Sequence, residues 1–200
     1  MLDWIAAIGG GLFVLASIVV GGRIVWMARR TRGLPELVLG AALLLMGGIG
    51  YPLMTIAVQG EGFSDGLRMT MLGGQMLTSI VGMCGLAWFT RHVFRPQATW
   101  ATALFIGLSA TYLGLAAGQI LGPGMMAFFA DPESGWWHAS NYMSVVVMSW
   151  AGIESMRYWT MQKKRLSLGL ADPVVADRFR LWGLAIPVSY THLTLPTNRE

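Results

Sequence analysis

Glu154 is the side chain that most invites a chemical reading. It lies in the apolar run 137–159, with Arg157 three residues on and Tyr158 four. In a helix the three share one face. A carboxylate inside an apolar segment is costly and marks a proton or ligand site by default. A local Glu154–Arg157 pair near the end of the run is the structural alternative. Trp136, Trp137, His138, Asn141 and Tyr142 open the same run. Aromatic planes beside a His and an Asn suit a small ligand, a cation by cation–π contact included. An interfacial aromatic anchor is the structural alternative. Gln75, Thr78 and Ser79 are placed to meet Ser109 and Tyr112, with Gln119, Asn141, Ser144 and Ser149 on neighbouring segments. They either hydrogen-bond between helices or line a modest polar cavity.

Several chemistries have no residues to carry them. No HExxH, CxxC, P-loop, GxGxxG or GxSxG pattern occurs, and no base stands beside a candidate nucleophile. His92 and His138 fall at opposite ends of the expected helices and cannot share a metal. No metal site and no cofactor is implied, and no lysine lies within a span to hold a retinal Schiff base. The single Cys84 excludes an intrachain disulfide, and its apolar setting argues against a reactive thiolate.

The elements that must position these residues follow from composition. Of 200 residues, 54% are hydrophobic and only 12% charged, against roughly 25% charged in a soluble domain. Mean hydropathy is +0.55. Too little polar surface exists to coat a water-facing globule, and disordered, nucleic-acid-binding and disulfide-scaffold classes are excluded. A membrane-spanning helix needs about 20 apolar residues. Such runs are expected at 4–27, 35–58, 68–89, 99–121 and 137–159, with a sixth, incomplete one at 172–187. Their length and lack of period-two alternation exclude a barrel. The expected class is an all-α polytopic bundle.

Twelve basic residues fall in one alternate set of connectors and helix ends: Arg23, Arg29, Arg30, Arg32, Arg91, Arg95, Arg157, Lys163, Lys164, Arg165, Arg178 and Arg180. The other set holds only Arg68, against Asp3, Glu61, Asp65, Asp131 and Glu133. The positive-inside rule then puts the N-terminus outside. Trp4, Trp26, Trp88, Trp100, Trp136, Trp137 and Trp159 fall near expected interfaces, and Trp150 near mid-membrane. The basic loop at Lys163–Arg165 can touch anionic lipid or a cytoplasmic partner.

Small residues mark close-packing faces. Ala110, Gly114, Gly118 and Gly122 stand at four-residue steps on the fourth run, and Ala6 and Gly10 on the first. Gly47, Gly48 and Gly50 precede Tyr51-Pro52, which predicts a kink. Met69, Met71, Met76, Met83, Met125 and Met126 are either adaptable site lining or filler.

The sixth run breaks off. Residues 188–200 are polar, and Val188-Ser189-Tyr190-Thr191-His192-Leu193 resembles a translated sequencing adaptor, the read GTCTCTTATACACATCT. Residues 1–187 are therefore expected to be the native bundle and 188–200 a non-native tail. A seventh helix is expected in the intact chain.

The segments 30–37 (RTRGLPEL), 47–53 (GGIGYPL) and 170–184 (LADPVVADRFRLWGL) resemble small uncharacterised seven-span bacterial membrane families. More loosely, the layout resembles the seven-helix sensor regions ahead of bacterial kinases. The resemblance implies an inner-membrane location and a non-enzymatic sensory or signalling module, with a ligand between helices and a cytoplasmic partner or a second copy of the chain. It transfers no functional residue. A transporter or channel and an intramembrane lipid-modifying enzyme are the alternatives.

Overall fold

Apart from its end turns, a helix satisfies its backbone N–H and C=O groups within its own segment, which is what an apolar chain requires. The computed structural model describes residues 2–60, 62–122, 135–170 and Arg180, and among them every regular element is helical. Helix α1 spans Leu2–Thr31, α2 Leu34–Leu43, α3 Tyr51–Gln59, α4 Asp65–Phe94, α5 Thr99–Leu121 and α6 Gly135–Ser167. A π-helical stretch, Leu44–Gly50, joins α2 to α3. The sixth expected run, the 188–200 tail, Glu61, Met125, Met126, Asp131 and Glu133 lie outside the described residues.

Among the described residues, four segments are long and apolar enough to cross a membrane: Ile8–Thr31, Leu34–Gln59, Asp65–Phe94 and Thr99–Leu121. Their outward faces are apolar, with Leu12, Leu15, Val19, Leu77, Ile106 and Leu113 exposed. A water-soluble bundle shows the reverse pattern. Helix α6 has 33 residues, about 50 Å of helix, but is less apolar. Ser140, Ser144, Glu154, Ser155 and Gln162 lie along it, and the last three are buried.

Local chemistry sets the helix ends. Ser64 caps α4 by accepting the Leu67 N–H at 3.4 Å, with Asp65 in the first turn. Pro35 and Glu36 occupy the first turn of α2. After α1, Arg32 adopts φ +54°, and the Gly33 N–H bonds the Ala28 carbonyl at 3.2 Å. This is a Schellman ending with Arg where Gly is usual.

Just ahead of Pro52, where a kink is expected, lies the π stretch. Pro52 brings no N–H and its ring crowds the preceding turn. The Tyr51 N–H bonds the Met46 carbonyl, five residues back, so the widened stretch ends just before the proline.

Helix α4 packs against α2, the π stretch, α3, α5 and α6, while α1 packs on α2 and the π stretch. The core gathers Leu39, Met83, Leu86, Phe89, Leu108 and Trp150. Met76 and Met83 are buried filler and Met69 is exposed.

At the described glycines, the closest approach between helix backbones is that of α1 and α2. A Cβ at Gly40 would stand 2.9 Å from both the Gly21 carbonyl and the Val25 nitrogen, and one at Gly21 would stand 3.0 Å from the Gly40 carbonyl. A Cβ at Gly47 would collide with Ser17. The glycine row of α5 behaves differently from the expected helix seam. Among the described residues, nothing stands within 4 Å of a Cβ at Gly114, while Gly118 lies under the Trp136 ring and Gly122 follows the last turn of α5. A small-residue row permits close approach but does not choose the neighbour.

These pairings give the bundle a charged end. Gly40 meets Val25, and Gly85 meets Val38, so the end of α1 and the start of α2 lie beside the end of α4. Arg91 at the end of α4 donates to Thr102 at the start of α5 at 3.1 Å. Arg29, Arg30, Arg32, Arg91, Arg95, Arg157, Lys163, Lys164 and Arg165 therefore gather at one end.

Candidate functional site

The site is built where α4 ends. Arg95 follows the last residue of α4, and its N–H still bonds the Arg91 carbonyl at 3.0 Å. Its side chain turns toward α6, where Nε donates to Glu154 Oε2 at 3.0 Å. Arg157, one turn on in α6, donates from Nη1 to Glu154 Oε1 at 3.3 Å. Glu154 is 3% exposed, Arg95 36% and Arg157 61%. A buried carboxylate thus receives one guanidinium from each side, and both cations reach toward solvent.

Such a pair is held by geometry more than by net stability. Desolvating Glu154 costs several kcal/mol, which the two charge-assisted bonds offset. Removing either partner of the Arg95–Glu154 pair costs more than the pair contributes. The cluster fixes the end of α4 against α6.

A cleft of about 260 Å³ opens beside this cluster. Its polar lining is Arg95, Glu154, Arg157 and Thr160, and its apolar wall is Phe94, Tyr158 and Met161. Phe94 and Tyr158 meet edge-on at 5.7 Å between centroids. A belt of cations over indoles surrounds this end: Arg30 over Trp26 at 3.8 Å, Arg95 over Trp100 at 5.7 Å, and Lys163 over Trp159 at 5.7 Å. Interfacial Trp with snorkelling Arg and Lys produces this arrangement.

The sequence pointed to Glu154 with Arg157, and the structure brings them together. It missed Arg95. The available signal was depth: Arg95 and Glu154 both stand near the basic end of their segments. Equal depth does not say which helices touch.

The other candidates are sorted by the fold. Tyr112 of α5 meets Ser144 of α6 at 3.1 Å. Ser144 donates its own hydrogen to the Ser140 carbonyl at 3.0 Å, so Tyr112 is the donor. Gln119, also buried, donates to Ser140. These contacts join α5 to α6. The expected meeting of Gln75, Thr78 and Ser79 with Ser109 and Tyr112 is replaced by bonds within α4. Gln75 donates to Ser79 at 2.9 Å, and Thr78 to the Gln75 carbonyl at 2.8 Å. Ser109 Oγ and Trp150 Nε1 are buried without a hydrogen-bond partner among the described residues.

The aromatic group at the start of α6 is divided by the helix turn. Trp136 lies on Gly118, while His138 stacks with Tyr142 at 6.3 Å and both are exposed. Residues two apart on a helix point about 200° apart, so Trp136 and His138 do not share a face. Asn141 is half-buried. The Trp137 side chain lies outside the description.

Comparison with protein-family models, curated proteins and solved structures finds no match, and the functional reading rests on the chain's own chemistry.

Proposed function

We propose that this chain is a multi-pass integral membrane protein acting as a non-enzymatic sensory or signalling module. It binds a ligand between helices and reports through α6. The observation that supports this most is the ion pair from Arg95, at the end of α4, to Glu154, buried well inside α6. A ligand entering the adjoining cleft competes for the guanidiniums that hold α4 to α6. A ligand shifts a conformational equilibrium only through such a difference in contacts between two states. Helix α6 continues from Glu154 to Ser167 and carries Lys163, Lys164 and Arg165. That basic end suits a cytoplasmic signalling partner or a second copy of the chain.

In this reading the basic end lies in the cytoplasm, the N-terminus outside and the bundle in a bacterial inner membrane. The same reading counts seven spans for the protein. Reconstitution into liposomes tests the reading. It expects no solute-driven ion flux, and no lipid turnover that Glu154→Gln abolishes. Either activity overturns it.

A transporter is the second reading, and one observation favours it. The segment Leu34–Gln59 is interrupted by the π stretch ahead of Pro52. Transporters build midplane sites from interrupted helices. Flux in the same liposomes decides for this reading.

A further inference from the structure

We propose that the cleft between Arg95 and Arg157 binds a phosphate diester anion, an inference that rests on reading the Glu154 cluster as a ligand site. Two guanidiniums stand against one carboxylate, so the cluster carries one surplus positive charge. Glu154 takes Arg95 Nε and Arg157 Nη1. The terminal nitrogens of Arg95, and Nε and Nη2 of Arg157, make no hydrogen bond to a described residue. Guanidinium N–H groups form a planar fork that matches phosphate oxygens. Here the carboxylate holds two such forks, one from each of two helices, at the mouth of one cleft. Pre-positioned donors lower the ordering cost of binding.

Charge balance selects the class within phosphates. A diester carries one negative charge and neutralises the cluster, whereas a monoester dianion overshoots it. The apolar wall of Phe94 and Met161 lies beside the cations and suits the carbon substituents of an ester. The volume of about 260 Å³ holds a headgroup-sized fragment. Lys163 and Lys164 raise the local anion concentration from farther out. Two sources share this chemistry: a phospholipid headgroup and a free phosphate diester.

The test uses the full chain purified in detergent, in three forms: wild type, Arg157→Gln, and Lys163→Gln with Lys164→Gln. Arg157 is exposed, so its substitution leaves the fold intact, which thermal unfolding checks. One arm counts phosphatidylglycerol against diacylglycerol, which lacks the phosphate diester, retained in native mass spectrometry. The other titrates glycerophosphoglycerol, a soluble diester, by calorimetry at about 0.15 M salt. Wild type should bind in at least one arm, and Arg157→Gln should weaken that binding about tenfold. The lysine variant should lose less than about threefold. Retention of phosphatidylglycerol alone supports the site with lipid as its source, and binding of the soluble diester supports it with a solute as its source. Binding in neither arm overturns the proposal, as does an equal loss in the lysine variant. Failure of both arms, with another solute protecting wild type but not Glu154→Gln, removes the ligand class and leaves the signalling reading standing. Liposome flux alongside diester binding does the opposite.

Discussion

Arg95 and Glu154 are 59 residues apart in the chain and 3.0 Å apart in the fold. The contact joins the exit of α4 to the interior of α6. It turns a costly buried carboxylate into a structural tie, and it places two cations at the mouth of a cleft.

The two arginines should differ in their worth to Glu154. In a double-mutant cycle, Arg95→Gln with Glu154→Gln should show a coupling of about 1–3 kcal/mol. The cycle with Arg157→Gln should show no more than about 0.5 kcal/mol, because Arg157 is mostly exposed and sits one turn away on the same helix. Reversible unfolding in mixed micelles measures both. Equal couplings would mean that Arg95 is not the principal partner.

Two glycines of similar sequence context should respond in opposite ways. Gly40→Ala pushes a methyl against the backbone of α1 and should cost about 1–3 kcal/mol. Gly114→Ala meets open space and should be neutral, or stabilising by up to about 1 kcal/mol through helix propensity. Unfolding midpoints in one detergent compare the two. Loss of stability at Gly114 would place a second copy of the chain against α5.

Arg32 holds a left-handed conformation that favours glycine. Arg32→Gly should raise stability by about 1 kcal/mol, because a Cβ in that region costs roughly that much. A fall in the unfolding midpoint would show that the Arg32 side chain contributes more than its backbone strain costs.

The gathering of cations at one end predicts opposite labelling of two engineered thiols. In a Cys84→Ala background, Lys164→Cys should react with a membrane-impermeant maleimide only in inside-out vesicles. Asp65→Cys should react only in right-side-out cells. The reverse pattern would invert the orientation, and labelling of both from one side would dismiss alternation of the segments.

Much of this architecture is visible along the chain. Long apolar runs must be helical because lipid leaves the backbone no other partner. Pro35, Ser64 and the glycines before Pro52 mark where helices start or distort, since capping and ring sterics act within a few residues. The clustering of Arg and Lys into alternate connectors is a one-dimensional pattern, and the bundle brings Arg29, Arg30, Arg32, Arg91, Arg95, Arg157, Lys163, Lys164 and Arg165 to one end. Glu154 with Arg157 is legible for the same reason, as one helical turn sets their distance.

Lateral neighbours are decided only when the helices pack. Nothing between residues 95 and 154 announces that the end of α4 lies against α6, because side-by-side placement depends on the shapes of whole faces. The same holds for Gly40 beside Gly21 and for Gly114, which has no described residue against it. Both are small residues in apolar helices, and only the partner's backbone tells them apart. Gln75 turned to its own helix and Tyr112 to Ser144, since a hydroxyl or amide in an apolar bundle bonds the nearest acceptor that packing supplies. Local spacing sets depth and face, and the sum of packing, backbone approach and buried charge chooses who meets whom.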